Sequence, residues 1–145
     1  MAAKPTILVL CTGNSCRSQM AEGYLQHLAA DRFGVHSAGT EPKEQVHPLA
    51  VQVMREDGVD IGKQYPKSVK EFLGQMPVRY LVIVCGGANE ACPRVWPGLQ
   101  ERLYWPFDDP AGFQGSEPAT LAEFRRVRDQ IKAKITDWLT TGGGK

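Results

Sequence analysis

VLCTGNSCRSQM, residues Val9 to Met20, stands between an apolar run and a helical pattern. Upstream, PTILVL (Pro5 to Leu10) is nearly continuous in apolar side chains, as expected of a strand buried on both faces of a parallel sheet. Downstream, Met20, Ala21, Tyr24, Leu25, Leu28 and Ala29 form the stripe of an amphipathic helix, with Ser18 as its expected cap. The loop between them holds Cys11, Thr12, Gly13, Asn14, Ser15, Cys16, Arg17 and Ser18. Such a loop, opening into a helix N-terminus, presents backbone N–H groups and positive potential to an anion. Gly13 lets the chain turn, and Arg17 can grip two oxygens of a tetrahedral oxyanion. The same field is expected to lower the thiol pKa of Cys11 from ~8.5 toward ~3.5–7.5, making it a nucleophile. Asn14 is expected to brace the loop and the Ser18 hydroxyl to donate to the Cys11 sulfur. Cys16, beside the arginine, reads as a structural thiol.

The rest of the chain places this loop. Its 145 residues, 42% hydrophobic and 23% charged, suit one ordinary domain able to bury its own core, spanning 1–145 with a frayed tail from about 140. A net charge of +1 points to neither nucleic acid nor a membrane surface, and no apolar run is long enough to span a bilayer. The N-terminal apolar run is too short for a signal peptide, so a cytoplasmic protein is expected.

A brief strand is expected near Val35 to Ser37, and a helix with Pro48 in its first turn and Gly58 at its end. KSVKEFLGQM reads as a shorter helical segment. YLVIVC (Tyr80 to Cys85) is a second buried strand, and RLYWPF holds a last one, stopped by Pro106. Leu121, Phe124, Val127, Ile131, Ile135, Trp138 and Leu139 mark a final helix from Thr120 to about Leu139. Alternating strands and helices predict an α/β fold: one open parallel sheet of about four strands flanked by helices. Ligands of such sheets bind at the carboxyl ends of strands, where Cys11 and Cys85 both lie.

VLCTGNSCRSQMAEG resembles the signature of the low-molecular-weight tyrosine phosphatase fold, and most closely its thioredoxin-coupled arsenate reductases. The resemblance covers nearly the whole chain, with its most specific motifs at Cys11–Ser18, Cys85–Cys92 and Phe107–Gly112. The phosphatases usually carry a bulkier residue at the place of Ser15 and a proline at that of Gln19. DPAG also differs from their aromatic "DPY" type, which favours a small inorganic oxyanion: arsenate, with phosphate or sulfate fitting the same loop.

CGGANEAC separates Cys85 from Cys92 by a small, flexible segment. Neither this spacing nor His27, His36 and His47 follow a zinc pattern, so no metal is expected, and a switchable thiol pair fits better than a static disulfide. Reducing arsenate to arsenite takes two electrons, the number one dithiol gives up on becoming a disulfide. The resemblance implies the order: Cys11 attacks arsenic, Cys85 attacks Cys11, Cys92 attacks Cys85. Thioredoxin, recharged by thioredoxin reductase and NADPH, would reduce Cys85–Cys92, and no cofactor would be bound. The first two sulfur–sulfur bonds are expected to require movement of the segment after Cys85.

By resemblance Asp109, just before Pro110, is the general acid, and Asp108 its structural neighbour. Some members of the family bind potassium beside the loop, through positions matching Asn14, Glu22, Ser37 and an acidic residue near 67. Here Lys67 stands there, so an ammonium is expected in place of the ion. Arsenical resistance by a monomeric reductase is the leading reading. A phosphatase using only Cys11, Arg17 and Asp109, with weak activity even in a reductase, is the alternative, and a non-catalytic oxyanion sensor is the third.

Overall fold

The structure, a computed structural model, describes residues 4–86 and 98–143. Four parallel strands make one sheet: β1 (Thr6–Cys11), β2 (Gly34–Gly39), β3 (Tyr80–Ile83) and β4 (Glu101–Tyr104), in the order β2-β1-β3-β4. Among the described residues three α-helices accompany it: α1 (Arg17–Ala29), α2 (Pro48–Glu56) and α3 (Glu117–Thr140). This is the expected α/β architecture. Ile7, Leu8, Val9 and Leu10 of β1 have no exposed surface, as a strand between two neighbours and two covered faces requires. Burying each such side chain contributes about 1.5–3 kcal/mol.

Helix α1 packs on β1, β2 and α3, and α2 lies against α1 and α3. Phe33, Tyr80, Trp105 and Trp138 form a ring cluster with centroids 5.7–5.8 Å apart, tying α3 to the sheet.

Several boundaries depart from expectation. The segment over KSVKEFLGQM shortens to a 3₁₀ turn, Val69–Glu71, entered through a Ser68–Glu71 capping box. Gly74, at φ +78, bends the chain away soon after. The tail is not frayed as far as Gly143: its N–H donates to Trp138 O (2.7 Å) and its carbonyl accepts from Arg32 Nη2 (2.9 Å). Helix α1 begins at Arg17 with Cys16 at the cap and no side-chain capping bond, so Ser18 is not the cap but a residue of the first turn.

The chain runs from β1 outward to β2, then crosses back over β1 to β3. The crevice at this reversal, beyond the carboxyl ends of β1 and β3, is where an open parallel sheet takes its ligand. Cys11 closes β1, and Cys85 lies just past the end of β3 on the adjacent strand.

Candidate active site

The loop from Cys11 to Arg17, with Glu41, Lys43, Asp109 and Ala111, lines a cavity of about 280 Å³. Its backbone is held from the β2 side. Cys11 pairs with Gly39 in the sheet, and a Cβ at Gly39 would lie 2.5 Å from the Thr12 carbonyl, so only glycine admits this approach. Beyond the strand, Thr40, Glu41 and Lys43 N–H groups donate to the carbonyls of Cys11, Thr12 and Gly13 at 3.1, 2.9 and 2.9 Å. With those carbonyls turned outward, and the first N–H groups of α1 lacking helical partners, the cavity faces a donor-rich wall.

Asn14 braces the loop as expected. It adopts φ 49, a left-handed conformation that asparagine tolerates better than most residues. Its Nδ2 donates to Ser18 Oγ (2.8 Å) and Ser37 Oγ (2.9 Å), and its Oδ1 accepts from Lys67 N–H (2.9 Å). Ser37 in turn donates to Glu22 Oε1 at 2.5 Å. Lys67 Nζ stands 3.8 Å from the same oxygen and donates to Tyr65 O at 2.8 Å. The residues Asn14, Glu22, Ser37 and Lys67 thus meet beneath the loop. Gln19, at the place of the phosphatases' proline, joins them: it is buried and donates to Asn14 O (2.9 Å) and Tyr65 O (3.0 Å).

Arg17 spans the other side. Its Nη1 donates to Phe107 O (2.8 Å), its Nη2 lies 3.7 Å from Asp109 Oδ2, and its buried Nε has no partner among the described residues. A buried, unpartnered donor beside a donor-lined cavity is a place for an acceptor oxygen. Asp109 is half exposed, and its Oδ1 accepts from Ala111 N–H (3.0 Å). Asp108 turns away to Arg126 (2.9 Å), as a structural neighbour should.

The thiols correct two expectations. Ser18 serves as Asn14's acceptor rather than a donor to Cys11, and the first influence on the Cys11 thiol is Cys85, just past the end of the adjacent strand. Thr12 Oγ1 lies 3.3 Å from Cys85 Sγ on the same side. The Cys11 thiol is pushed up rather than down: contact with Cys85 and burial outweigh the pull of Arg17 and the Thr12 N–H. Two buried sulfurs in contact resist losing their last proton, a property of the pair. Cys16 is pushed up to about 12, by burial first and then by Asp109, which keeps it a thiol at neutral pH. Cys92 lies outside the described residues.

No group of three or more His, Cys, Asp or Glu side chains among the described residues is arranged to hold a metal ion. Nor is any described helix long and apolar enough to cross a membrane. Glu41, Lys43 and Ala111 are cavity residues that the loop motif did not reveal. The signal for the first two was available: they follow β2 at its carboxyl end, where an open sheet gathers its ligand contacts.

Residues 6–142 match the model of the low molecular weight phosphotyrosine protein phosphatase family. The chain belongs to this family. Within it, the chain is 44% identical to an arsenate reductase of Halalkalibacterium halodurans, over 96% of this chain and 98% of that one. It is 42% identical to an arsenate reductase of Bacillus licheniformis, over 97% and 99%. An arsenate reductase solved in a phosphate-binding state superposes with a TM-score of 0.79 at 33% identity, covering 94% of this chain and 98% of the other.

Proposed function

We propose that this member of the phosphatase family reduces arsenate to arsenite, with Cys11 as nucleophile and Cys85 as the first resolving thiol. One observation carries the reading: a second free thiol, Cys85, lies beside Cys11 at the ends of adjacent strands, near enough to dominate its titration. Hydrolysing an ester needs one sulfur, an arginine and an acid. A second sulfur against the first has a use when two electrons must be delivered. Whole-length similarity to arsenate reductases supports the same conclusion.

Arg17 and the loop N–H groups would hold the oxyanion while Cys11 attacks arsenic, its thiol proton passing to an oxygen of the bound anion. Asp109 protonates the departing oxygen, which leaves as water, a step worth ~10²–10⁴-fold. Cys85, as thiolate, attacks the Cys11 sulfur. The sulfur–arsenic bond breaks, its electron pair stays on arsenic, and arsenite leaves. Cys92 then attacks Cys85 and frees Cys11.

Because the chain's own dithiol ends oxidised, no small thiol need enter the cavity, which favours thioredoxin, recharged by thioredoxin reductase and NADPH, as reductant. The chain binds no cofactor in this scheme. It acts in arsenical resistance, in the cytoplasm, as a monomer. The Lys67 ammonium beside Glu22 replaces a loop-supporting potassium ion, a reading supported by their 3.8 Å pairing.

Arsenate turnover with thioredoxin, thioredoxin reductase and NADPH tests the proposal. Arsenate-dependent NADPH oxidation is expected, and its absence would overturn the reading. Phosphate monoester hydrolysis is the second reading, favoured by the Cys11, Arg17 and Asp109 set taken alone. Cys85→Ser separates them, since it should abolish arsenate turnover and spare ester hydrolysis.

A further inference from the structure

The charges around the cavity do not match a tetrahedral oxyanion if Arg17 acts alone. Its guanidinium is already shared with Phe107 O and Asp109, leaving Nε as its unpartnered donor among the described residues. Without Lys43, a doubly charged anion arriving here would meet one positive side chain, the partial charge of the α1 N-terminus, and the acidic side chains of Asp109 and Glu41.

Lys43 lies on the same wall. Its N–H donates to Gly13 O (2.9 Å), which fixes where its side chain starts. The stem then lies over Gly13, where a Cβ would come within 3.2 Å of Lys43 Cε and 3.3 Å of Cγ. The loop's left-handed turn falls at Asn14 and not at Gly13 as expected; Gly13 instead leaves the space through which Lys43 reaches the cavity. Its positive charge is felt inside, where it pulls the Cys16 thiol down against burial, and on the other flank at His47.

We infer that Lys43 is a second cation for the oxyanion, a binding residue at the cavity mouth that sets affinity for arsenate and for competing phosphate. The inference rests on the proposed arsenate reaction for its substrate, but on geometry alone for its anion. Lys43 is exposed and touches no reacting sulfur, so its effect falls on capture and retention of the anion rather than on the thiol steps. Glu41, next to it on the rim, opposes a larger anionic substrate.

The test uses inorganic phosphate and arsenate with the whole chain. Lys43→Met should weaken phosphate binding, measured calorimetrically, by about 3- to 10-fold, the loss of one nearby screened charge. KM for arsenate should rise by the same factor while kcat changes less, and the dependence of KM on salt should flatten. Lys43→Arg should restore binding. Unchanged phosphate affinity and KM in Lys43→Met, with an unchanged melting temperature, would overturn the inference. If the unsubstituted chain binds phosphate but reduces no arsenate, the proposed function fails while the assignment of Lys43 stands.

Discussion

Beneath the oxyanion loop, Asn14, Ser18, Gln19, Glu22 and Ser37 are all buried and bonded to one another or to neighbouring backbone. At the mouth of the same cavity, Asp109 sits 3.7 Å from Arg17 with half its side chain in solvent, and Glu41 and Lys43 are exposed. The difference separates two tasks. The buried layer holds the loop's N–H groups in place, so losing a member costs stability and geometry together. In the proposed reaction the rim supplies charge and a proton, so losing a member should cost rate or affinity with little effect on folding.

Variants of the two layers sharpen this contrast. At the rim, Asp109→Asn should lower the rate of arsenic–sulfur bond formation by about 10²–10⁴-fold. Its melting temperature should stay near that of the unsubstituted chain, and a large drop in stability would break the division. In the buried layer, Asn14→Ala strands three hydrogen-bond partners and puts alanine at a left-handed φ. It should cost about 2–4 kcal/mol in denaturant unfolding and weaken phosphate binding at the same time.

Lys67→Met removes the cation beside buried Glu22. Turnover of this variant should become sensitive to potassium over sodium, whereas the unsubstituted chain should show no preference. Potassium-specific activation of the unsubstituted chain would contradict the substitution of an ion by Lys67.

The smallest effect lies at the edge of the buried layer. The His47 ring caps α2 by accepting from Leu49 N–H at Nδ1 (3.1 Å), and the His47 backbone N–H donates to Ser15 O (2.8 Å). Burial lowers its pKa below 6.5 in the folded chain. The folded state therefore keeps it neutral while the unfolded chain takes up a proton. Stability from this residue is complete above pH 6.5 and falls as pH drops toward the folded value. His47→Asn, which can still cap the helix, should lose less stability between pH 8 and pH 5.5 than the unsubstituted chain, as read by melting temperature.

Much of this was legible because it is local. The buried strands announce themselves as apolar runs, and Cys11 and Arg17 mark an anion loop by spacing and by the helix that follows. The cap assigned to Ser18 failed because this helix N-terminus serves the cavity, and Asn14 engages the hydroxyl instead. The thiol shift at Cys11 runs against the loop's field because it is set first by Cys85, brought alongside by the pairing of β1 with β3. The place of Lys43 after β2 is legible, but its approach to Gly13 depends on the pairing of Cys11 with Gly39, which no local pattern reports. The family resemblance supplied Asp109, whose Asp-Pro setting alone reads as an ordinary turn.

The central claim is that the chain's own thiols supply both electrons. Fully reduced protein, mixed with arsenate in the absence of any reductant, tests it most directly by arsenite quantification and disulfide peptide mapping. The account predicts one arsenite per chain and a single new disulfide, Cys85–Cys92. Arsenate recovered unchanged with all four thiols still free, or a chain that hydrolyses phosphate esters yet forms no disulfide with arsenate, would contradict it.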